Sequence, residues 1–258
     1  MKKIGCIILS VMLLSLFWGC KPAEKPVEEV KHEIHWGYEG EGSPANWGTL
    51  KPEFAVCGSG MSQSPIDIDR AIKASLDKIV FSYKETPVKI INNGHSIQVN
   101  YEPGSSITVD GQTYELIQFH FHAPSEHALK GKLLDMELHL VHKNDRGELA
   151  VVGVFLKKGA PNKVIKVLWD NIPKEINKEN IVDGISVNAS AMLPSDSGYY
   201  HYYGSLTTPP CTEGVNWSVL RKPIEVSEDQ IEKFRLIMGV DNNRPVLPVN
   251  KRFVLESG

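Results

Sequence analysis

Two stretches of this chain constrain its fold more than any others. SSITVDGQTYELIQFHFH (residues 105–122) alternates apolar and polar side chains around Asp110-Gly111, the kind of dipeptide that closes a two-residue hairpin. LLDMELHLVHKNDRGELAVVGVFL (133–156) repeats the pattern around a longer turn ending at Gly147. Long antiparallel strands are therefore the expected frame, in a mainly β (α+β) chain. Two segments read as helices instead: NKVIKVLWDNI from Asn162, and SEDQIEKFRLIM, where Ser227 and Gln230 have capping-box spacing ahead of Ile231 and Phe234.

The strand period also sorts the histidines. Residues two apart share a face, so Gln118, His120 and His122 point one way while Ile117, Phe119 and Phe121 point the other. In DMELHLVH, Glu137, His139 and Val141 share one face, and Met136, Leu138, Leu140 and His142 share the opposite one. If the two strands are neighbours, a third imidazole joins the first two. Three neutral imidazoles suit Zn²⁺ at a catalytic site, which keeps a fourth position for water; a structural zinc would want four ligands, usually thiolates. Gln118 and Glu137, each two residues from a candidate ligand, could accept the second ring N–H. His142, on the wrong face, reads as structural, and His32, His35 and His201 as surface or packing residues.

No internal repeat or second composition zone breaks the chain after about residue 32, and 258 residues that are 41% hydrophobic can bury one large core, so residues 32–258 are expected to form a single catalytic domain. Lys and Arg are scattered in a chain of net charge -3, which provides no basic face for a nucleic acid. MKKIGCIILSVMLLSLFWGC, residues 1–20, reads as an export signal, with cleavage available at Gly19 before Cys20. Lipidation of Cys20 with membrane anchoring, simple secretion and an uncleaved anchor all stay open, because Phe17 and Trp18 are bulkier than lipoprotein signals usually carry. Residues 21–31 read as a flexible tether. If Cys6 leaves with the signal and Cys20 is the acylated terminus, Cys57 and Cys211 are the remaining pair, and an oxidising compartment predicts a disulfide between them; two buried free thiols are the alternative.

QFHFHAPSEH, ELHLVH, NNGHSIQV and SLTTPPCTEGVNW, in this order and spacing and with HWGY and QSPIDI upstream, resemble the alpha-class carbonic anhydrases from about His35 to near the C-terminus. The resemblance implies a large twisted, mostly antiparallel sheet with short peripheral helices. It implies reversible hydration of carbon dioxide to bicarbonate and a proton, by attack of a zinc-bound hydroxide; the export signal places that activity in the periplasm or on the outer surface. His120, His122 and His139 match the zinc ligands, and Gln118, Glu137 and the backbone of Asn242 the groups that orient them. Thr207 matches the threonine that orients the hydroxide and passes its own proton to Glu126, and Thr208 lines the same rim. Val141, Val151, Leu206, Val215 and Trp217 match the apolar wall that receives carbon dioxide. His95 matches the proton shuttle, with Tyr38, Asn93 and Gln98 in its water network; Gln98 stands where many relatives have asparagine. His127 matches a buried structural histidine near Tyr202 and Ser64. A homodimer is left open.

Two rival classes remain. A non-catalytic binding module would have lost zinc ligands, whereas all three histidines, Glu126 and Thr207 are present. A zinc hydrolase would want a carboxylate base beside the metal, and the resemblance uses Glu126 as an acceptor; side esterase activity is compatible with either reading.

Overall fold

In the computed structural model, which describes residues 34–258, Asp110 and Gly111 both take positive φ (51° and 71°), and Val109 faces Gln112 across them. That backbone twist matches the twist of the flanking strands, and it is why glycine and aspartate serve there. The expected export signal (1–20), the tether (21–31), Cys6, Cys20 and His32 lie outside the described residues.

Seven strands form the centre of a twelve-stranded sheet: β1 (Thr86–Asn92), β2 (Ile97–Asn100), β3 (Gln112–His122), β4 (Met136–Lys143), β5 (Leu149–Lys158), β6 (Tyr199–Ser205) and β7 (Glu213–Val226). Their spatial order is β1-β2-β3-β4-β5-β7-β6. Every neighbouring pair in that series is antiparallel except β5 and β7. Glu179–Val187 extends the β1 edge, and Leu255–Ser257 and Ile72–Ala74 extend the other.

The alternation expected of β3 holds at Phe119 and Phe121, both fully buried, and fails at Ile117, which is 43% exposed. Val141 pairs with Gln118 but His142 pairs with Leu116, so Ile117 is the extra residue of a bulge. Leu116 takes the inward position instead.

Each face of the sheet carries its own core. On one, Phe119, Phe121, Leu138, Leu140, Val152 and Val154 pack with Ile165, Leu168 and Trp169 of α1 (Lys163–Asp170) and Ile231 and Phe234 of α2 (Glu228–Met238). Both helices start as their sequences require. The Asn162 side chain caps α1 by accepting from Val164 and Ile165 N–H, and Ser227 and Gln230 form the reciprocal capping box of α2. On the other face, Val151, Phe155, Tyr202, Val215 and Trp217 form a second apolar cluster. Among the described residues, no helix is long and apolar enough to cross a membrane.

His142 lies in the first core and not with the other strand histidines. Its Nδ1–H donates to Ala150 O (3.3 Å) and its Nε2 accepts from the Tyr83 hydroxyl (2.8 Å). Burial pushes its pKa down to about 3, against an ordinary imidazole value of 6.5. Between those values the unfolded chain binds a proton that the folded chain refuses. The stabilisation contributed by the neutral ring is therefore complete above pH 6.5 and is lost as pH falls toward 3, by roughly 1.4 kcal/mol per pH unit. Urea unfolding midpoints across this window should fall more steeply for the wild-type chain than for His142→Gln, which keeps an acceptor for Tyr83; parallel curves would refute the assignment.

Cys57 and Cys211 are bonded, 154 residues apart in sequence, in a cluster with Trp47, Trp36 and Tyr38. Closing so long a loop stabilises by about 5 kcal/mol in the chain-entropy model, less any native strain. The double variant Cys57→Ser/Cys211→Ser should unfold at clearly lower urea than the oxidised protein, and an unchanged midpoint would show that the bond restricts nothing.

Candidate metal centre

Sheet register assembles the three histidines. His139 on β4 pairs directly opposite His120 on β3, and His122 follows two residues later on the same face. Ring centroids are 4.6–5.4 Å apart, and one ligand atom from each histidine lies within 4.8 Å of the others. The remaining ring nitrogens are committed. His120 Nδ1–H donates to Gln118 Oε1 (2.9 Å), His122 Nδ1–H to Asn242 O (2.7 Å), and His139 Nε2–H to Glu137 Oε1 (2.9 Å). In a neutral imidazole one donated N–H leaves a lone pair on the other nitrogen, so His120 Nε2, His122 Nε2 and His139 Nδ1 are the three donor atoms.

Burial keeps two of the three rings neutral, the form in which an imidazole can offer a lone pair to a metal. Burial holds His120 well below the ordinary imidazole range and lowers His122 too. Burial also pushes His139 down, but the Glu137 carboxylate outweighs it and leaves that ring raised. Glu137 itself is held well below the usual carboxylate range: burial would raise it, and His127 and His139 override that. Its two oxygens also accept from the backbone N–H of Glu126 and His127 and from His127 Nδ1–H (2.7 Å). His127, Glu137 and His139 thus form a hydrogen-bonded group whose donors are already used. By contrast His122 Nε2 is buried without a hydrogen-bond partner, and so is Glu126 Oε2, 3.5 Å away. An unpartnered buried ring nitrogen, with two more lone pairs beside it, fits a metal ion.

Around the three histidines the other expected residues fall into place by element. His120, His122, Gln118 and Thr208 line a cleft of about 130 Å³ together with Tyr38, Asn93, His95 and Gln98. Asn93 Oδ1 accepts from the backbone N–H of His95 and Ser96, and its amide donates to Gln98 Oε1. The Tyr38 hydroxyl is buried without a partner, and burial raises its pKa well above the usual phenol value. Val151, Val215 and Trp217 are buried in the second core cluster, with Val141 and Leu206 packed on its edge; Val151 pairs with Val141 on one side and Trp217 on the other.

Thr207 is buried in the loop joining β6 and β7. The loop is clamped by Leu206 N–H to Thr212 O, Cys211 N–H to Thr208 O, and the disulfide at Cys211. No hydrogen bond joins Thr207 to Glu126. His127 sits as a bridge, its Nε2 accepting from the Tyr202 hydroxyl (2.6 Å), which in turn meets Ser64 Oγ.

Sequence reasoning missed two residues of the site. Arg244 is buried and reaches Cys57 O, Ser64 O and Gln63 Oε1, while its backbone N–H donates to Glu126 Oε1 (2.8 Å). Its place two residues after Asn242 was the available signal. His35, read as a surface or packing residue, lies with its Nε2 3.1 Å from His95 Nε2; its place next to Trp36 and Tyr38 could have drawn attention. His201, read the same way, is buried against Tyr203.

The comparisons with known proteins converge. Residues 41–258 match the family model of the eukaryotic-type carbonic anhydrases. A carbonic anhydrase of Nostoc sp. is 46% identical over 229 residues, 87% of this chain and 86% of the relative. One of Klebsiella pneumoniae is 47% identical over 225 residues, 86% of this chain and 91% of the relative. The solved structure of a hyperthermostable carbonic anhydrase from a hydrothermal vent chimney superposes with a TM-score of 0.85 at 50% identity, covering 87% of this chain and all of that one. With a family model spanning most of the chain, close relatives over nearly their full length and a shared fold, the chain belongs to the eukaryotic-type, or alpha-class, carbonic anhydrases.

Proposed function

We propose that this enzyme interconverts carbon dioxide and bicarbonate using a zinc ion held by His120 Nε2, His122 Nε2 and His139 Nδ1. The observation that carries the reading is the convergence of three ring nitrogens while the opposite nitrogen of each ring is spoken for. Zinc with three neutral ligands activates water as a nucleophile near neutral pH.

The chain's own residues supply the rest. Glu126 Oε2, buried and unpartnered, is suited to accept a hydrogen bond from the Thr207 hydroxyl. A threonine so fixed keeps its oxygen lone pairs as acceptors for the nucleophile's remaining proton and aims the attacking pair at carbon. Val141, Val151, Leu206, Val215 and Trp217 offer a dry wall to a small uncharged substrate. Asn242 holds both ends of the proton path: its carbonyl orients His122, and its amide donates to the backbone carbonyl of His95 (3.0 Å). His95 then removes the product proton. The Cys57–Cys211 bond supports work in an oxidising compartment, the periplasm or the outer surface.

Zinc analysis of the purified protein with stopped-flow hydration of carbon dioxide tests this reading. About one zinc per chain, with activity lost to a chelator and regained on adding zinc, is expected. Full activity in metal-free protein would refute it.

A further inference from the structure

Among the described residues, five buried side-chain atoms have no hydrogen-bond partner, and three of them, the Tyr38 hydroxyl oxygen, His122 Nε2 and Glu126 Oε2, belong to the metal centre and its cleft. The other two, His201 Nδ1 and Asn216 Oδ1, do not. His201 on β6 pairs opposite Ser218 of β7, and Asn216 pairs opposite Tyr203, so His201 and Asn216 are diagonal neighbours on one face of the sheet. Trp217, between Asn216 and Ser218, points to the other face, where its ring meets His139. The two orphan atoms therefore lie across the sheet from the three histidines. His201 is 8% exposed and Asn216 3%, and polar atoms at that depth are costly unless something meets them.

Asp110 brings a charge to this place. It is exposed in the hairpin turn before β3, and its Oδ2 accepts from Asn216 Nδ2 at 3.4 Å, the only hydrogen bond of that carboxylate among the described residues. Burial, and after it the Asp110 carboxylate, raises the phenols of Tyr199 and Tyr203. In His201 burial lowers the ring below the ordinary imidazole value and outweighs the same carboxylate. The ring is therefore neutral near pH 7, with a lone pair to give.

We propose that His201 Nδ1, Asn216 Oδ1 and the Asp110 carboxylate form a second metal site, for a borderline divalent ion of the Zn²⁺, Ni²⁺ and Cu²⁺ class. One imidazole nitrogen with two oxygens suits these ions better than calcium or magnesium, which take oxygen alone. Diagonal neighbours on a sheet have Cα atoms about 7–8 Å apart, a gap that a ring and a carboxamide close around an ion with bonds of about 2 Å. Asn216 can hold Asp110 through Nδ2 and still offer Oδ1. The turn is open to solvent, which gives the ion a way in and water to complete its coordination. With a single charged ligand the site is weaker than the three-histidine centre, and an ion bound there ties the Asp110 turn to β6 and β7.

Metal content by mass spectrometry tests this on tag-free, zinc-loaded protein dialysed against micromolar Zn²⁺. The adjacent rings of His35 and His95 offer a competing place for an ion, so the count is made in the His35→Ala/His95→Ala background, where about two zinc ions per chain are expected. His201→Gln and Asp110→Asn should each weaken the second ion by at least about tenfold and leave the first in place. Asparagine suits the same positive-φ turn, so a loss in Asp110→Asn is not a folding defect. His139→Ala should show the converse, losing the first ion and keeping the second, which separates this site from the proposed catalytic one. Titration of the background protein with Zn²⁺ should also shift the His201 ring nitrogen signals in NMR spectra. A count that stays at one in that background would overturn the proposal and leave water as the partner of the two atoms. A second ion indifferent to both His201→Gln and Asp110→Asn would overturn it too, and an ion lost in only one of them would overturn the three-ligand set.

Discussion

His139→Ala should lose most of its zinc and nearly all hydration activity. Two imidazoles are left where three held the ion, and alanine can neither replace the Nδ1 lone pair nor keep the bond to Glu137 Oε1. The fold should survive. Glu137 keeps its bonds to His127 and to the backbone N–H of residues 126 and 127, so the carboxylate stays paired and the cost is a cavity on one face. Glu137→Gln belongs to the same series. It leaves all three histidines in place and disturbs only the partner that sets the His139 tautomer, so zinc affinity should weaken by about 10–100-fold without being abolished. His142→Ala, which empties a position in the opposite core, should keep its zinc. Metal content by mass spectrometry across the three variants settles the ligand set, and stoichiometric zinc in His139→Ala would sink it.

Thr207→Ala should keep its zinc and slow hydration by on the order of a hundredfold, about 2.7 kcal/mol of barrier. The hydroxyl is proposed to act only on the orientation of the nucleophile, so the loss should appear in both the maximal rate and its ratio to KM. The loop around it is clamped by the Leu206–Thr212 and Cys211–Thr208 bonds and by the disulfide, so removing one hydroxyl is not expected to move the backbone. Thr207→Ser, which keeps the hydroxyl and drops a methyl group, should recover most of the rate. An unchanged rate in the alanine variant would make Thr207 a loop residue and leave Glu126 Oε2 without its proposed donor.

The sequence by itself determined the local frame. Period-two alternation settles which side chains share a face, because successive residues of a strand point to opposite sides whatever the strand packs against. That is why His120, His122 and His139 could be grouped and His142 set apart before any coordinates. Asp110-Gly111 and the Ser227–Gln230 capping box were legible for a similar reason: each satisfies backbone geometry or orphan N–H groups within a few residues.

Tertiary structure decided what depends on residues far apart in the chain. The pairing of His139 with His120 is a matter of register, and register follows from which faces the whole sheet can bury. The bulge at Ile117 is part of that same fit, and no local signal distinguishes it from the alternation around it. Only packing selects the ring nitrogen that each histidine presents, since the choice is made by a partner on the other nitrogen: Gln118 and Glu137 lie two residues away, but Asn242 is 120 residues from His122. Arg244 meets Cys57 across 187 residues, and His35 meets His95 across 60. Contacts of that span carry a loop-closure cost that only the burial of a complete core offsets, so they exist as properties of the folded chain and have no periodicity by which a sequence could announce them.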